Sequence, residues 1–141
     1  MEKNRKLFVQ TVSKFLVVHF NFCQEVADFI GCQFALESGF GNSRLCLEDN
    51  NYCGMKRSLV RISTRLRGES FESKTFSVYL TLEDCIIDFV LLLQYRRPLS
   101  TNLDTIAHYC AFIKGWYCPE RDYIDKIQSI YSQFKTSQNG N

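Results

Sequence analysis

The sequence predicts a mostly helical α+β fold with one small β-hairpin. Apolar residues make up 45% of the 141 residues and aromatic residues 14%, which is typical of a globular chain with a single core. Most apolar positions recur at helical spacing, whereas the alternation typical of strands is confined to residues 59–79. We expect one domain over residues 1–135 and a frayed polar tail over residues 136–141.

The first predicted element is an amphipathic helix near the N-terminus. Its apolar positions are Leu7, Val12, Phe15, Leu16 and Val18. The same stretch has a basic start, but polar residues interrupt its apolar run and no small-residue cleavage site follows, so we expect no signal peptide. No run in the sequence reaches the length of a membrane span.

The second predicted helix ends at a carboxylate. Apolar residues between Val26 and Leu36 fall mostly on one face, and Glu37 then precedes Ser38-Gly39-Phe40-Gly41. Two glycines in this position are typical of a helix C-terminus. Glu37 is therefore expected on the last turn of a largely buried helix, where the macrodipole and burial both raise the pKa of a carboxyl. Such an acid can protonate a leaving glycosidic oxygen; the alternative is a solvated glutamate at a helix end.

The middle of the chain predicts a loop followed by a hairpin. Residues 42–58 have few apolar positions, and Asn50 and Asn51 suit turns, although their amides also suit hydrogen bonds to sugars. Residues 59–79 predict two strands joined by a turn at Arg67-Gly68.

The last third of the sequence predicts three helices. Residues 81–95 are strongly apolar, with Thr81 as the N-cap and acidic residues in the first turn. Pro98 ends this element, and the next helix is expected to start at Ser100-Thr101-Asn102. The final helix is expected over residues 123–134.

Charge and cysteine content exclude several classes of function. The net charge of +2 has no basic block, so we expect no nucleic-acid partner. The seven cysteines form no C-x-x-C pair and the two histidines are isolated, so we expect no metal and no cofactor. The apolar context of several cysteines indicates reduced, buried thiols. A catalytic cysteine paired with His108 is disfavoured because neither residue lies in a nucleophile motif.

Four segments together resemble the glucosaminidase domain of family 73 glycoside hydrolases, which includes the flagellar rod muralytic domain and many autolysins. Residues 35–43 read ALESGFGNS where the family has roughly A-x-x-E-S-G-W-G-x-S. Residues 50–56 read NNYCGMK where the family has NN-x-F-G-[IV]-K. Residues 76–79 and the segment starting at residue 115 resemble two later family segments, and the similarity covers roughly residues 10–133.

The resemblance implies a lysozyme-like fold, with a groove between the helical body and the hairpin lobe. It also implies hydrolysis of the β-1,4 bond after N-acetylglucosamine in peptidoglycan, with Glu37 as the general acid. The substrate contacts that it implies are Phe40, Asn50, Asn51, Tyr52 and Trp116.

The second catalytic group stays open at this point. The family's second glutamate usually lies on the first hairpin strand, where residues 63–65 are Ser, Thr and Arg. Glu69 and Glu72 are the nearest acids, and Glu69 is preferred because it is nearer the tip. A second carboxylate lies about 6.5–9.5 Å from the acid in an inverting enzyme and about 5–5.5 Å in a retaining one. In a substrate-assisted route the sugar's acetamido group attacks instead, with Tyr117 orienting it.

Two other functions fit the same resemblance. One is a muramidase or lytic transglycosylase acting on the same strands. The other is a non-catalytic peptidoglycan-binding domain, which the absent first-strand glutamate favours and the intact Glu37 segment opposes.

Without a signal, we expect synthesis in the cytoplasm and action on the cell wall after release or specialised export. The expected partners are glycan strands and a secretion, phage or conjugation machinery, as for a phage lysin or a secreted effector.

Overall fold

A computed structural model describes residues 1–56, 76–98 and 102–139. The helices in these ranges are α1 (Lys3–Phe20), α2 (Gln24–Ser38), α3 (Arg44–Asp49), α4 (Leu82–Arg96), α5 (Ile106–Ile113) and α6 (Tyr123–Asn139). The mostly helical prediction is confirmed. None of the helices in the described part is both long and apolar enough to cross a membrane. The chain divides into a first unit, Met1–Leu36 with Pro98–Asn141, and a second unit, Glu37–Arg97.

The first unit is built from α1, most of α2, α5 and α6. Helix α1 packs against α6. Gly31 lets α1 and α2 approach closely, because a Cβ atom at this position would lie 2.8 Å from the carbonyl oxygen of Val9. The buried core of this unit includes Val12, Leu16, Phe29, Ile30, Phe34, Tyr109, Ile127 and Phe134.

A buried carboxylate joins three helices of the first unit. Asp28 on α2 accepts hydrogen bonds from Ser13 Oγ on α1 at 2.5 Å and from Gln24 Nε2 at 2.8 Å. Lys135 on α6 forms an ion pair with the other carboxylate oxygen at 2.8 Å. Since a buried charge is tolerated only when it is paired and hydrogen-bonded, this network fixes how the three helices meet.

The second unit contains a helix that the sequence did not predict. Residues 42–58 were expected to be a loop, but they include α3, in which Leu45 and Cys46 are buried. Ser43 caps this helix by accepting a hydrogen bond from the Cys46 backbone N–H at 3.3 Å. At six residues α3 is too short to show an apolar period, and for that reason the loop prediction was wrong.

The remaining boundaries mostly follow the predictions. Thr81 caps α4 by accepting from the Asp84 N–H at 3.1 Å, as expected. Helix α5 begins at Ile106 with Thr105 as its cap, so the predicted start at residues 100–102 was wrong. Helix α6 continues to Asn139, and residues 136–139 of the expected tail are therefore helical.

The hairpin prediction falls almost entirely on residues 57–75, which lie outside the described residues. On either side of that gap, Lys56 and Phe76 form an antiparallel bridge. The backbone N–H of Ser77 also donates to the carbonyl oxygen of Met55 at 2.9 Å. These contacts bring the two flanks together, and the small hairpin lobe itself stays a prediction.

Candidate functional site

Glu37 lies on the last turn of α2, as predicted, and it is the first residue of the second unit. The preceding residues of α2, from Val26 to Ala35, are buried, but Glu37 itself is exposed. The expected burial of this carboxyl was therefore wrong, because α2 leaves the core within its final turn. An exposed carboxyl at the end of a buried helix is held on a rigid element while it can still reach a ligand.

The chain reverses direction directly after Glu37. Gly39, Phe40 and Gly41 all have left-handed backbone conformations, with φ angles of 57°, 57° and 83°. A phenylalanine in this region is strained, and such strain concentrates at functional sites. The buried Ser38 stabilises the turn, since its hydroxyl accepts from the Gly41 N–H at 2.9 Å. Phe40, predicted to contact substrate, is half-buried in this turn.

Residues 50–56, here called the second motif, approach the Glu37 carboxyl through Gly54. A Cβ atom at Gly54 would lie 3.8 Å from Glu37 Oε2, and Gly54 has a φ angle of +64°. A Cβ atom would meet the carboxyl at an ordinary van der Waals distance, so the cost of a side chain at this position comes from its left-handed backbone conformation. Residues 37–41 and 51–55 are thus adjacent, which the sequence resemblance implied but could not describe.

Asn51 holds the second motif in place. It is buried, and its amide nitrogen donates to the carbonyl oxygens of Met55 and Ser77, both at 2.9 Å. Its amide oxygen accepts from the Met55 N–H at 2.9 Å. These bonds close the turn that carries Gly54 and join it to residue 77. Both ends of the Asn51 amide are engaged in the framework, which is the turn role that the sequence offered beside a sugar contact.

Asn50 has a similar supporting role at the end of α3. It adopts the left-handed conformation of a helix C-cap, with a φ angle of 51°. Its amide nitrogen donates to the carbonyl oxygens of Tyr79 and Leu80, both at 3.1 Å. Asn50 is half-buried, so its predicted contact with substrate stays a prediction alongside this structural role.

A buried polar cluster lies behind the second motif. Tyr79 donates its phenolic hydrogen to Asp88 on α4, and both side chains are buried. Burial, followed by the neighbouring groups Cys85, Cys53 and Asp88, raises the pKa of Tyr79. Tyr52, predicted to bind substrate, is half-buried, and burial raises its pKa as well.

Trp116 and Tyr117 belong to the first unit, in a turn after α5. The indole N–H of Trp116 donates to the carbonyl oxygen of Phe112, so its polar edge is bound within the chain. Tyr117 stacks on the buried Tyr123 with ring centroids 5.9 Å apart. The hydroxyl of Tyr123 in turn accepts from Gln33 Nε2 at 3.0 Å. The stacked pair of Tyr117 and Tyr123 is therefore connected to α2 by a buried hydrogen bond.

The structure brings together part of the predicted site. Five of the predicted residues belong to the second unit: Glu37, Phe40, Asn50, Asn51 and Tyr52. Trp116 and Tyr117 belong to the first unit. Glu69 and Glu72 lie outside the described residues, as does the hairpin side of the predicted groove. Sequence reasoning missed the supporting roles of Ser38 and Gly54, although both lie within the two quoted motifs.

The thiols and histidines show no metal centre within residues 1–56, 76–98 and 102–139. No group of three or more histidine, cysteine or acidic side chains in these ranges is arranged to bind an ion. None of the seven cysteines, all of which lie in the described residues, is in a disulfide, and four of them are buried: Cys32, Cys46, Cys53 and Cys85. Cys110 and Cys118 are half-buried, and Cys23 is exposed.

Solved structures that share the fold include the following two. The catalytic domain of the autolysin Auto from Listeria monocytogenes is similar over 98% of this chain and 88% of its own, at 19% identity and a TM-score of 0.64. A chain of a type VI secretion system effector–immunity complex from Pseudomonas protegens is similar over 95% of this chain and 96% of its own, at 14% identity and a TM-score of 0.60. No curated protein matches the sequence significantly.

The sequence also matches a family model directly. The model is that of the glucosaminidase family, described as mannosyl-glycoprotein endo-beta-N-acetylglucosaminidase, and it matches residues 24–136. The matched region contains α2 with Glu37, both motifs of the second unit, and the aromatic turn at residues 115–117. The resemblance inferred from the motifs is confirmed, and the chain belongs to the glucosaminidase family.

Proposed function

We propose that this protein is a peptidoglycan hydrolase that cleaves the β-1,4 bond after N-acetylglucosamine, with Glu37 as the general acid. The observation that carries the proposal is the exposed Glu37 carboxyl, held at the end of a buried helix within a glucosaminidase family match. The similarity to a Listeria autolysin supports the cell wall as the substrate.

The surroundings of Glu37 suit proton transfer to a leaving oxygen. Helix α2 fixes the backbone of Glu37, and the turn at residues 39–41 removes the following chain from the helix axis. Gly54 leaves the space beside Oε2 without a side chain. A substrate oxygen can then approach the carboxyl to hydrogen-bond distance, as general acid catalysis requires.

The group that completes the reaction is Glu69, Glu72 or the substrate's own acetamido group. A hairpin carboxylate would activate water or attack the anomeric carbon, depending on its separation from Glu37. In the substrate-assisted route, Tyr117 would orient the acetamide. Its stacking on the buried Tyr123 supports this assignment, because the contact limits the motion of the ring.

The proposal is tested by the products released from purified peptidoglycan. We expect mass spectrometry to detect reducing-end N-acetylglucosamine with the wild type and with Glu48→Gln, a control at an exposed acid of α3. Glu37→Gln should abolish these products, and Glu69→Gln and Glu72→Gln should reveal whether either carboxylate takes part.

Other product patterns would replace the proposal with a defined alternative. Anhydro-muramyl products would identify a lytic transglycosylase, and reducing-end muramic acid a muramidase. A folded protein that sediments with the wall and releases nothing would be a peptidoglycan-binding domain.

We further propose that the protein is synthesised in the cytoplasm and reaches the wall by release or specialised export, through a secretion, phage or conjugation machinery. The similarity to a chain from a type VI effector–immunity complex supports this route. Expression in a bacterial cytoplasm should leave cells intact, whereas expression with an added periplasmic signal should lyse them. Lysis that persists with the Glu37→Gln variant would contradict wall hydrolysis as its cause.

A further inference from the structure

Two buried thiols meet behind the Glu37 site. The sulfur atoms of Cys53 and Cys85 are 3.5 Å apart, although the residues are 32 positions apart in the chain. Cys53 precedes Gly54 in the turn that Asn51 closes, and Cys85 lies in the first half of α4. Both side chains are almost fully buried, at 4% and 0% exposure.

We propose that Cys53 and Cys85 form a redox modification site, in which a small-molecule disulfide oxidises them to a protein disulfide. A disulfide places its sulfurs about 2.05 Å apart, so the two atoms must approach by roughly 1.5 Å. Cys53 lies in a turn rather than a helix, and a shift of this size can therefore be absorbed by the turn. Adjacency in the fold, rather than in sequence, selects this pair from the seven cysteines.

The reaction consists of two thiol–disulfide exchanges. The Cys53 thiolate attacks one sulfur of the donor disulfide and expels a small thiolate, which leaves a mixed disulfide on Cys53. The Cys85 sulfur then attacks Cys53 Sγ and expels the second small thiolate. The two protons lost by the cysteines end on the two released thiols. The protein is oxidised by two electrons and the donor disulfide is reduced by two.

The surroundings of the two cysteines make this reaction slow but favour a single product. Burial raises the pKa of Cys53 well above its usual value, and Cys85, Glu37 and Asp88 raise it further, so the thiolate is scarce at neutral pH. The donor reaches Cys53 only when the turn opens. Once the mixed disulfide has formed, Cys85 is the adjacent thiol. We therefore expect oxidation to take hours, with a single intramolecular product.

The disulfide would attach the turn beside Glu37 covalently to α4. Thiols remain reduced in the cytoplasm and oxidise outside it, so the bond would form after the protein leaves the compartment of its synthesis. This timing rests on the proposed function at the cell wall. The formation of the bond does not, and the test below needs no hydrolytic activity.

The test is incubation of the folded protein with oxidised glutathione, followed by peptide mapping without reduction. We expect a linked peptide containing Cys53 and Cys85, a mass decrease of two hydrogens and a rise of several degrees in Tm, because the link constrains the unfolded chain. Cys85→Ala should lose the linked peptide and the rise in Tm. The control variant Cys110→Ala should keep both, since Cys110 belongs to the first unit.

Two results would overturn the proposal. The first is a link between Cys85 and a cysteine other than Cys53, such as Cys46. The second is a protein that carries only glutathione adducts or retains all of its thiols.

Discussion

The two units of this protein are stabilised in different ways. The first unit buries the apolar faces of long helices and adds a buried charged network around Asp28. The described part of the second unit has more irregular backbone, and polar side chains bind that backbone directly. Asn50 and Asn51 donate to four carbonyl oxygens, and Ser38 and Ser43 each accept from a backbone N–H.

The difference shows why the candidate acid lies where it does. Helical packing supports a rigid platform but leaves little room for a ligand to approach a side chain. Irregular backbone can approach a carboxyl closely, as Gly54 does at Glu37, but its polar groups must be satisfied. The second unit satisfies them with asparagine and serine, and Glu37 lies where α2 passes from one kind of structure to the other.

The largest expected effect is that of substituting Glu37, which should change the rate of hydrolysis but not the stability of the fold. Glu37→Gln should lower the rate of wall hydrolysis by about 10²–10⁴-fold, the usual contribution of a general acid. Because Glu37 is exposed, the free energy of unfolding should change by less than about 0.5 kcal/mol. Turbidity clearance of a cell-wall suspension and urea unfolding measure the two quantities. A variant that retains wild-type clearance would remove Glu37 from the mechanism.

Substitution of Asn51 tests whether polar side chains stabilise the second unit. Asn51→Ala should lower the free energy of unfolding by about 2–4 kcal/mol, because buried carbonyl and amide groups lose their partners. The matched control is Ser77→Ala. The Ser77 hydroxyl is buried and has no hydrogen-bond partner among the described residues, so its removal should cost less than about 1 kcal/mol. Equal losses in urea unfolding would contradict the framework role of Asn51.

Lys135 tests the charged network of the first unit. Lys135→Met leaves Asp28 buried without its cation and should cost about 1–3 kcal/mol, a range lowered because the lysine side chain is one-third exposed. Partial burial lowers the pKa of Lys135, but the hydrogen bond and charge of Asp28 outweigh it, and the pKa is raised above 10.5.

The sign of that shift sets the pH dependence. Because the pKa of Lys135 is higher in the folded than in the unfolded protein, its ion pair stabilises the folded state fully at pH values below the unfolded pKa near 10.5. This contribution is lost as the pH rises through the folded pKa. The difference in free energy of unfolding between wild type and Lys135→Met should therefore be constant at neutral pH and decrease in strongly alkaline solution. A difference that grew with alkaline pH would contradict the ion pair.

The smallest effect concerns the strained turn after Glu37. Phe40→Gly and Phe40→Ala both remove the ring, but only glycine adopts a φ angle of 57° without strain. We expect Phe40→Gly to be more stable than Phe40→Ala by about 1 kcal/mol in thermal unfolding. An alanine variant of equal or greater stability would indicate that the turn is not left-handed in solution.

The sequence predicts the long helices well because their apolar residues recur with the helical period. Helix α4 and its cap at Thr81 follow directly from local pattern. Helix α3 could not be predicted in this way, since six residues show no period and its cap is a single serine. The helix end at Glu37 was predictable from the glycines, but the exposure of Glu37 depends on where the core ends, which is a tertiary property.

The roles of the asparagines show the same limit within the site. From the sequence, Asn50 and Asn51 suit either a turn or a sugar contact, because an amide can serve both. One acceptor, Met55, is four residues from Asn51, but the other three, in residues 77, 79 and 80, are 26 to 30 positions away in the sequence. Family resemblance located the motif, and only the fold distinguishes the buried Asn51 amide from the half-buried Asn50 amide.

The discontinuous first unit has a consequence for synthesis. Its two segments are separated by the whole second unit, and the Asp28–Lys135 pair joins residues 107 positions apart. A ribosome therefore releases α1 and α2 long before their partner α6 exists. Until then their apolar faces stay uncovered, which favours chaperone binding and aggregation of the nascent chain. Contacts this distant in sequence also slow folding, so expression yield should depend on conditions that protect the growing N-terminal segment.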